Sequence, residues 1–380
     1  MKVVVTGIGL VSCLGKLNHS WENLLKGKSA IKLYQPFGEL PPQPLGLIDS
    51  HPADLSGLTK QVVENAIVSA GLALPLPECG VVIGSSRGYQ AMLEKLALQL
   101  QNDKNLPQAS FNKLFLNLLP HMVAIGAANQ IGSTGPVLAP MAACATGIWA
   151  IAQGVELIET GQCQQVIAGA VEAPISPLTL TGFRKMGALA QTGAYPFDLH
   201  REGLVLGEGG AVLVMESAEF AKKRSARIFG QIRGFGLTND ACYGNAPDLN
   251  GRSGRVAIAQ CLDRSGLCAE DIDYIHAHGT ATKLNDRHEA NLIQTIFPHR
   301  VPVSSTKGAT GHTLGASGAL GAAFCLMALE HQVLPPCVGL NETGFDLDFV
   351  RLARQSQVEN VLCLSFGFGG QNAALVLGKV

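Results

Sequence analysis

The chain has 380 residues, of which 47% are hydrophobic and 15% charged, with a formal net charge of -1. This balance is too apolar for disorder, and the length allows one large or two medium domains around a real core. The near-neutral charge excludes a protein organised around phosphate contacts, so no nucleic-acid partner is expected.

The opening MKVVVTGIGL reads as a strand without a cleavable apolar leader. A helix is predicted over Val62 to Leu72, then a strand around Ile83 in GVVIGSS, and a third strand in GPVLAPMAAC that runs into the helix ATGIWAIAQGVELI. QQVIAGAVE and GGAVLVMES follow as strands, and the charged segment Ser217 to Arg227 reads as a junction. The same order then recurs. GQIRGFGL at Gly230 to Leu237 echoes the first strand, Val256 to Leu267 echoes the helix, and IDYIHAHG near Tyr274 echoes the second strand. VPVSST leads through a glycine-rich turn into GASGALGAAFCLMALE, and NVLCLSFG and NAALVLGKV close the chain. Both echoed helices end in Gly-Leu, the glycine supplying a left-handed C-cap. A repeat of this length points to a duplicated α/β domain, residues 1–225 and 226–380, with the active site between the halves.

Two uncharged stretches, Leu114 to Val155 and Thr313 to Leu329, raise the question of a membrane span. Prolines and glycines interrupt the first, and the second is rich in Gly and Ala and falls short of the ~20 residues a span needs. Both are expected to be buried central segments. The ten cysteines stand singly, without a CxxC pair, which predicts free thiols in a reducing, cytoplasmic setting.

One of them stands apart. Cys144, in MAACATG, sits between an apolar strand and a helix beginning near Thr146. Backbone N–H groups and the helix dipole there are expected to lower its pKa, and the flanking Ala142, Ala143, Ala145 and Gly147 leave room for substrate. HAHGTAT places His276 and His278 after a strand, with Thr280 and Thr282 beyond; STKGATGHTLGASGA places Lys307 and His312 before an apolar helix. His276-x-His278 lacks further ligands at matching spacing, so no metal is expected. SFGFGGQN sets Gly367, Gly369 and Gly370 around Phe366 and Phe368, which lets backbone approach a ligand closely.

Together ACATG, HGTxT followed by NDxxE, STKxxTGHxLGAxGA and GFGGxN resemble the 3-oxoacyl-acyl-carrier-protein synthases (beta-ketoacyl synthases) of the elongating Cys-His-His type. The resemblance extends from VVVTGIGLVS through PFDLHREGLVLGEGGAVLVME to the final strand, nearly the whole chain. It implies a thiolase-like fold, a duplicated five-layer αβαβα sandwich, and decarboxylative condensation of an acyl group held on Cys144 with malonyl-acyl-carrier-protein. His278 and His312 would stabilise the enolate, and the N–H groups of Cys144 and Phe368 would hold the oxyanion. Lys307, paired with Glu289 of NDRHE, would organise the field. Thr280 and Thr282 would bind the pantetheine arm, and Phe183 would line the acyl pocket. No organic cofactor or metal is implied. The implied partners are an acyl-carrier protein, with Arg184 and Lys185 as its docking candidates, and a second subunit in a homodimer or in a heterodimer with a related synthase.

Departures from the family pattern fall at Gln371, Leu364, His276 and above all Arg87, which stands where relatives place a small or apolar residue at the far end of the acyl pocket. Arg87 is expected either to project into that pocket and shorten it or to turn away into a structural ion pair. A degradative thiolase would need a second cysteine in the C-terminal loop, and an initiating synthase an Asn in place of His312. A non-catalytic chain-length-factor-like subunit would have lost the nucleophile. Retention of Cys144, His278, His312 and Lys307 argues for the enzyme.

Overall fold

Strand β1 (Val3–Ser12) is buried along its whole length, as an apolar, β-branched run is when helices cover both faces of its sheet. In this computed structural model, which describes residues 1–102, 114–244, 246–248 and 250–380, β1 opens a block that occurs twice.

The first block continues with α1 (Leu55–Ser69), whose N-cap Asp54 accepts a bond from the Gly57 N–H. Then come β2 (Gly80–Gly84), α2 (Met122–Ile131), β3 (Val137–Leu138), α3 (Thr146–Glu159), β4 (Gln165–Glu172) and β5 (Gly209–Ser217). Its strands lie in the order β3-β2-β4-β5-β1. The first two contacts are parallel and the last two antiparallel.

The second block is built from β6 (Gly230–Asn239), α5 (Arg252–Ser265), β7 (Tyr274–His276), α6 (Lys283–Ile296), β8 (Pro302–Ser304), α7 (Ser317–His331), β9 (Asn360–Gly367) and β10 (Gln371–Gly378). Its order, β8-β7-β9-β10-β6, repeats the first strand for strand, with the same two parallel and two antiparallel contacts. Within the first block, α4 (Pro177–Lys185) is inserted between β4 and β5, started by a Ser176 cap with Pro in the first turn. The two sheets join where Val3–Val5 of β1 pair with Ile232–Gly230 of β6.

Five layers result. Helices α1 and α2 pack on the outer face of the first sheet, α5 and α6 on the outer face of the second, and α3 and α7 fill the space between the sheets. Strand periodicity drives this: in β5, Val212 and Val214 face the outer core while Ala211, Leu213 and Met215 face the central one. The central helices approach closely at Gly147, where a Cβ would stand 2.5 Å from the Ala319 nitrogen. The run Leu314–His331 is long and apolar enough to cross a membrane, but 89% of it is buried inside the protein as that central layer.

The duplicated αβαβα architecture expected from the sequence is therefore present. Helix boundaries differ: α1 starts at Leu55, well before Val62, because Asp54 caps a turn that the apolar pattern alone did not reveal, and α5 starts at Arg252 rather than Val256. The left-handed glycines stand as expected, with φ of +63° at Gly71 and +65° at Gly266.

Candidate active site

Both central helices begin at the same end of the molecule, and the functional loops gather there. Cys144 immediately precedes α3. Ala143 before it has φ of +47°, a left-handed conformation that a residue with a side chain adopts only where its surroundings enforce it. Thr146 Oγ1 enforces it, donating to the Ala143 carbonyl at 2.6 Å and accepting from the Ala142 N–H at 2.9 Å. From the second block, Ser365 Oγ donates to the Cys144 carbonyl at 2.9 Å. Gly367 packs so tightly here that a Cβ would lie 3.0 Å from the Cys144 nitrogen. The Phe368 N–H is directed at the Cys144 thiol.

His278 follows β7 and His312 precedes α7, equivalent places in a βα connection and its successor. Their rings meet edge to face with centroids 5.2 Å apart. Each ring is oriented through Nδ1: His312 contacts Ser317 Oγ at 2.8 Å, and His278 faces Lys307 Nζ at 3.4 Å. With Nδ1 accepting from Lys307, the His278 ring proton resides on Nε2, whereas the Ser317 hydroxyl can donate to or accept from His312 Nδ1. Burial holds both imidazoles well below their ordinary pKa, with the Lys307 charge adding to the effect, so they are neutral donors at physiological pH.

Glu289 positions this arrangement from beneath. Its two carboxylate oxygens accept the backbone N–H groups of His278 at 2.6 Å and Gly279 at 2.7 Å. Lys307 does not pair directly with it, contrary to the sequence expectation. Its Nζ donates to the His278 carbonyl and faces the His278 ring, so the loop backbone lies between the two charges and each still feels the other. Burial lowers the Lys307 pKa, and Glu289 opposes that effect.

The thiol also departs from expectation. Burial pushes Cys144 up to about 11, although Lys307 and the Phe368 N–H both pull it down. Helix position alone predicted the opposite direction. The sulfur is nearly sealed, and loss of water disfavours a thiolate more than the local dipoles favour it.

A cavity of about 310 Å³ reaches this centre. Cys144, Phe183, His278, Thr280, Thr282, His312, Phe366 and Phe368 all line it. Lys307, Glu289 and Arg87 do not. The first two bond to the backbone of His278, while Arg87 lies behind Phe183, its guanidinium 5.5 Å from the ring centroid. Phe183 stacks on its other neighbour, Phe368, with centroids 6.1 Å apart. Arg87 is therefore outside the lining of the open cavity, on the far side of the phenyl ring, and among the described residues it forms no ion pair, so neither of the two sequence expectations for it is met as stated. Of the two proposed docking charges, Lys185 is exposed, whereas Arg184 bonds to Gln43 Oε1 at 3.2 Å.

Sequence reading missed several contributors. Ser317, Ser365 and Thr146 orient the principal groups, and their only signal is a position inside the quoted motifs. His276 was considered a ligand only with His278. In the fold its donor atom lies instead within 4.8 Å of those of Cys325 and Cys363, two cysteines remote in sequence.

Residues 53–221 match the beta-ketoacyl synthase N-terminal domain and residues 229–341 the C-terminal domain. A relative in Coxiella burnetii, 3-oxoacyl-[acyl-carrier-protein] synthase 2, is 35% identical, with 100% of this chain and 99% of that protein covered. Among solved structures, the chain is similar to a ketosynthase described in complex with its type II polyketide acyl-carrier protein and bound to the hexaketide (TM-score 0.94, 27% identity, 100% and 99% covered). It is also similar to the ishigamide ketosynthase/chain length factor (TM-score 0.92, 28% identity, 100% and 99% covered).

Proposed function

The chain belongs to the beta-ketoacyl synthase family, and from that membership we propose how its residues divide the work of the family's acyltransferase reaction, condensation with malonyl-acyl-carrier-protein. Cys144 is the acyl acceptor. Its thiol attacks the carrier thioester, the new thioester forms on sulfur, and the thiol proton leaves on the departing carrier thiol. A resting thiol suits this exchange, since a proton is moved rather than lost.

Malonyl-carrier then occupies the cavity with its thioester oxygen between His278 and His312. Loss of CO2 leaves an enolate, and two neutral Nε2–H donors face the oxygen on which the charge develops. Neutral imidazoles donate here without first acquiring a proton. The enolate carbon attacks the Cys144 thioester, and the N–H groups of Cys144 and Phe368 hold the tetrahedral oxyanion. That attack forms the carbon–carbon bond; collapse of the oxyanion restores the carbonyl, breaks the carbon–sulfur bond and expels the Cys144 thiolate, which takes up one proton from solvent. Lys307 and Glu289 hold the His278 loop and set its field. Thr280 and Thr282 flank the route of the pantetheine arm, and Phe366 and Phe183 form apolar walls.

The single observation carrying this reading is the convergence of Cys144, His278, His312 and the Phe368 N–H on one cavity. A chain-length-factor-like role is not favoured, since nothing in that role needs such an arrangement. We further infer two units, 1–225 and 226–380, a cytoplasmic setting, and pairing with a like subunit through β3. Among the described residues that strand bonds on one side only, to β2, with Leu138 and Met141 exposed nearby.

The test is intact-protein mass after incubation with an acyl-carrier thioester. The wild type gains one acyl group and Cys144→Ala gains none; condensation by the variant at the wild-type rate overturns the assignment.

A further inference from the structure

Arg87 is held in place by its loop, yet among the described residues no carboxylate matches its charge. The loop bearing it, between β2 and the following helix, is pinned by the buried carboxylate of Glu172, which accepts from Ser85 Oγ at 2.8 Å and from the N–H groups of Ser86 and Arg87. Ser85 Oγ in turn accepts the Gly88 N–H at 2.9 Å, and Gly88 has φ of +52°. The loop geometry therefore fixes where the arginine side chain starts.

Its guanidinium carries five N–H donors. Among the described residues, its polar side-chain partner is Gln90 Oε1, at 3.5 Å from Nη1, the outer limit of a hydrogen bond. No carboxylate of the described residues pairs with it. Glu94, which belongs to the same polar chain, is occupied: it accepts from Gln90 Nε2 at 3.0 Å, from Ser176 Oγ at 2.6 Å and from the Leu178 N–H at 3.1 Å. The guanidinium rests on the face of Phe183, whose ring lines the catalytic cavity. Behind the phenyl ring, outside the open cavity, thus stands a half-buried cation with no carboxylate partner among the described residues, linked through Gln90 to Glu94 and Ser176.

A saturated tail growing from Cys144 past Phe183 would part the cation from the ring and cover it with hydrocarbon, which leaves the charge desolvated and uncompensated. A tail carrying an oxygen acceptor replaces the lost contact with a charge-assisted hydrogen bond. We propose that Arg87 is the tail subsite of this synthase and that its acyl substrates are oxygenated chains, bearing a carbonyl or hydroxyl oxygen remote from the thioester. This rests on the reading of Cys144 as acyl acceptor.

The experiment compares carrier thioesters of equal length, hexanoyl and 5-oxohexanoyl, by kcat/KM for condensation in the same preparation. The ratio is independent of the fraction of active protein. Wild type favours the oxo chain by roughly tenfold or more, because a site built to bond an oxygen rejects the analogue lacking it. Arg87→Ile reverses the order, and Arg87→Lys, which keeps the charge but loses the planar fork, retains part of the preference. If Arg87→Ile does not fold, Arg87→Met and Arg87→Lys supply the comparison. Equal ratios in wild type and variants overturn the proposal, as does dissociation of the assembled enzyme with the ratio unchanged, which makes Arg87 an interface residue. Preference of the wild type for a conjugated six-carbon chain over the oxo chain also overturns it. Absence of condensation by wild type with any primer, acetyl included, would count against the acyl-acceptor reading instead.

Discussion

Replacing Glu289 with Gln tests whether the enolate donors are positioned through the backbone. The carboxylate holds two N–H groups, of His278 at 2.6 Å and Gly279 at 2.7 Å, and also accepts from Asn285 Nδ2 at 3.2 Å. A glutamine carbonyl can hold one of the two N–H groups; its NH2 then confronts the other, donor against donor. The unmet N–H costs about 1–3 kcal/mol, and turning the remaining charge-assisted bond into a neutral one costs ~1 kcal/mol more. Relief of a fully buried carboxylate, whose pKa burial raises, returns energy of the same order. These contributions oppose each other, so global stability is a poor readout. The loss falls instead on the geometry of the His278 loop, which the relief of burial does not repair. Lys307, which shares that loop's carbonyl, also loses the charge that favours its ammonium form. If roughly 1.4–2.7 kcal/mol appears in the transition state, malonyl-carrier decarboxylation falls about 10–100-fold. Rapid-quench measurement of CO2 release should show the fall in kcat with KM little changed, while mass spectrometry shows Cys144 still acylated. A folded Glu289→Gln enzyme that decarboxylates at the wild-type rate would refute the positioning argument.

Further outcomes follow from the same geometry. His278→Ala and His312→Ala should each lose most decarboxylation while retaining slow acylation of Cys144; rapid CO2 release by the double variant would move the enolate site elsewhere. Both imidazoles have depressed pKa values, so the stability they contribute is present above their unfolded value of 6.5 and is lost as pH falls below it. Chemical denaturation across about pH 5.5 to 7.5 (about one unit either side of that value) should show a flatter acid side in His312→Ala than in wild type. Glu172 carries the opposite sign: burial raises it from 4.5 to about 7, so its favourable contribution exists below 4.5 and fades as pH rises through 7. Glu172→Gln should therefore remove a loss of stability on the neutral side, and an unchanged profile there would count against burial as the cause. Lys185→Glu should raise KM for carrier-bound substrates and leave small thioesters unaffected, since the exposed charge acts on the docking of an acidic carrier; equal effects on both would reject that role.

Much of this molecule is legible in one dimension because it depends on local patterns. Strand and helix periods, the left-handed glycines at Gly71 and Gly266, and the recurrence of one βα order in two halves are all local features, and together they specified a duplicated α/β domain, to which the family resemblance added the five layers. Cys144, His278 and His312 stand out for a related reason, since each lies at a strand or helix end beside small residues that keep a channel open. What the linear chain did not decide are matters settled by distance and by water. Lys307 bonds to the His278 carbonyl rather than to Glu289, because the loop backbone occupies the space between the two charges. Cys144 is driven toward the protonated thiol, because elements from both halves close over it and desolvation sums over all of them, whereas the helix dipole acts from one. Arg87 meets Phe183 face on, a contact between residues almost a hundred positions apart that arises only once Glu172 has pinned its loop. Periodicity reports which face of an element is buried; only the folded chain decides which buried groups touch, and how much water is left between them.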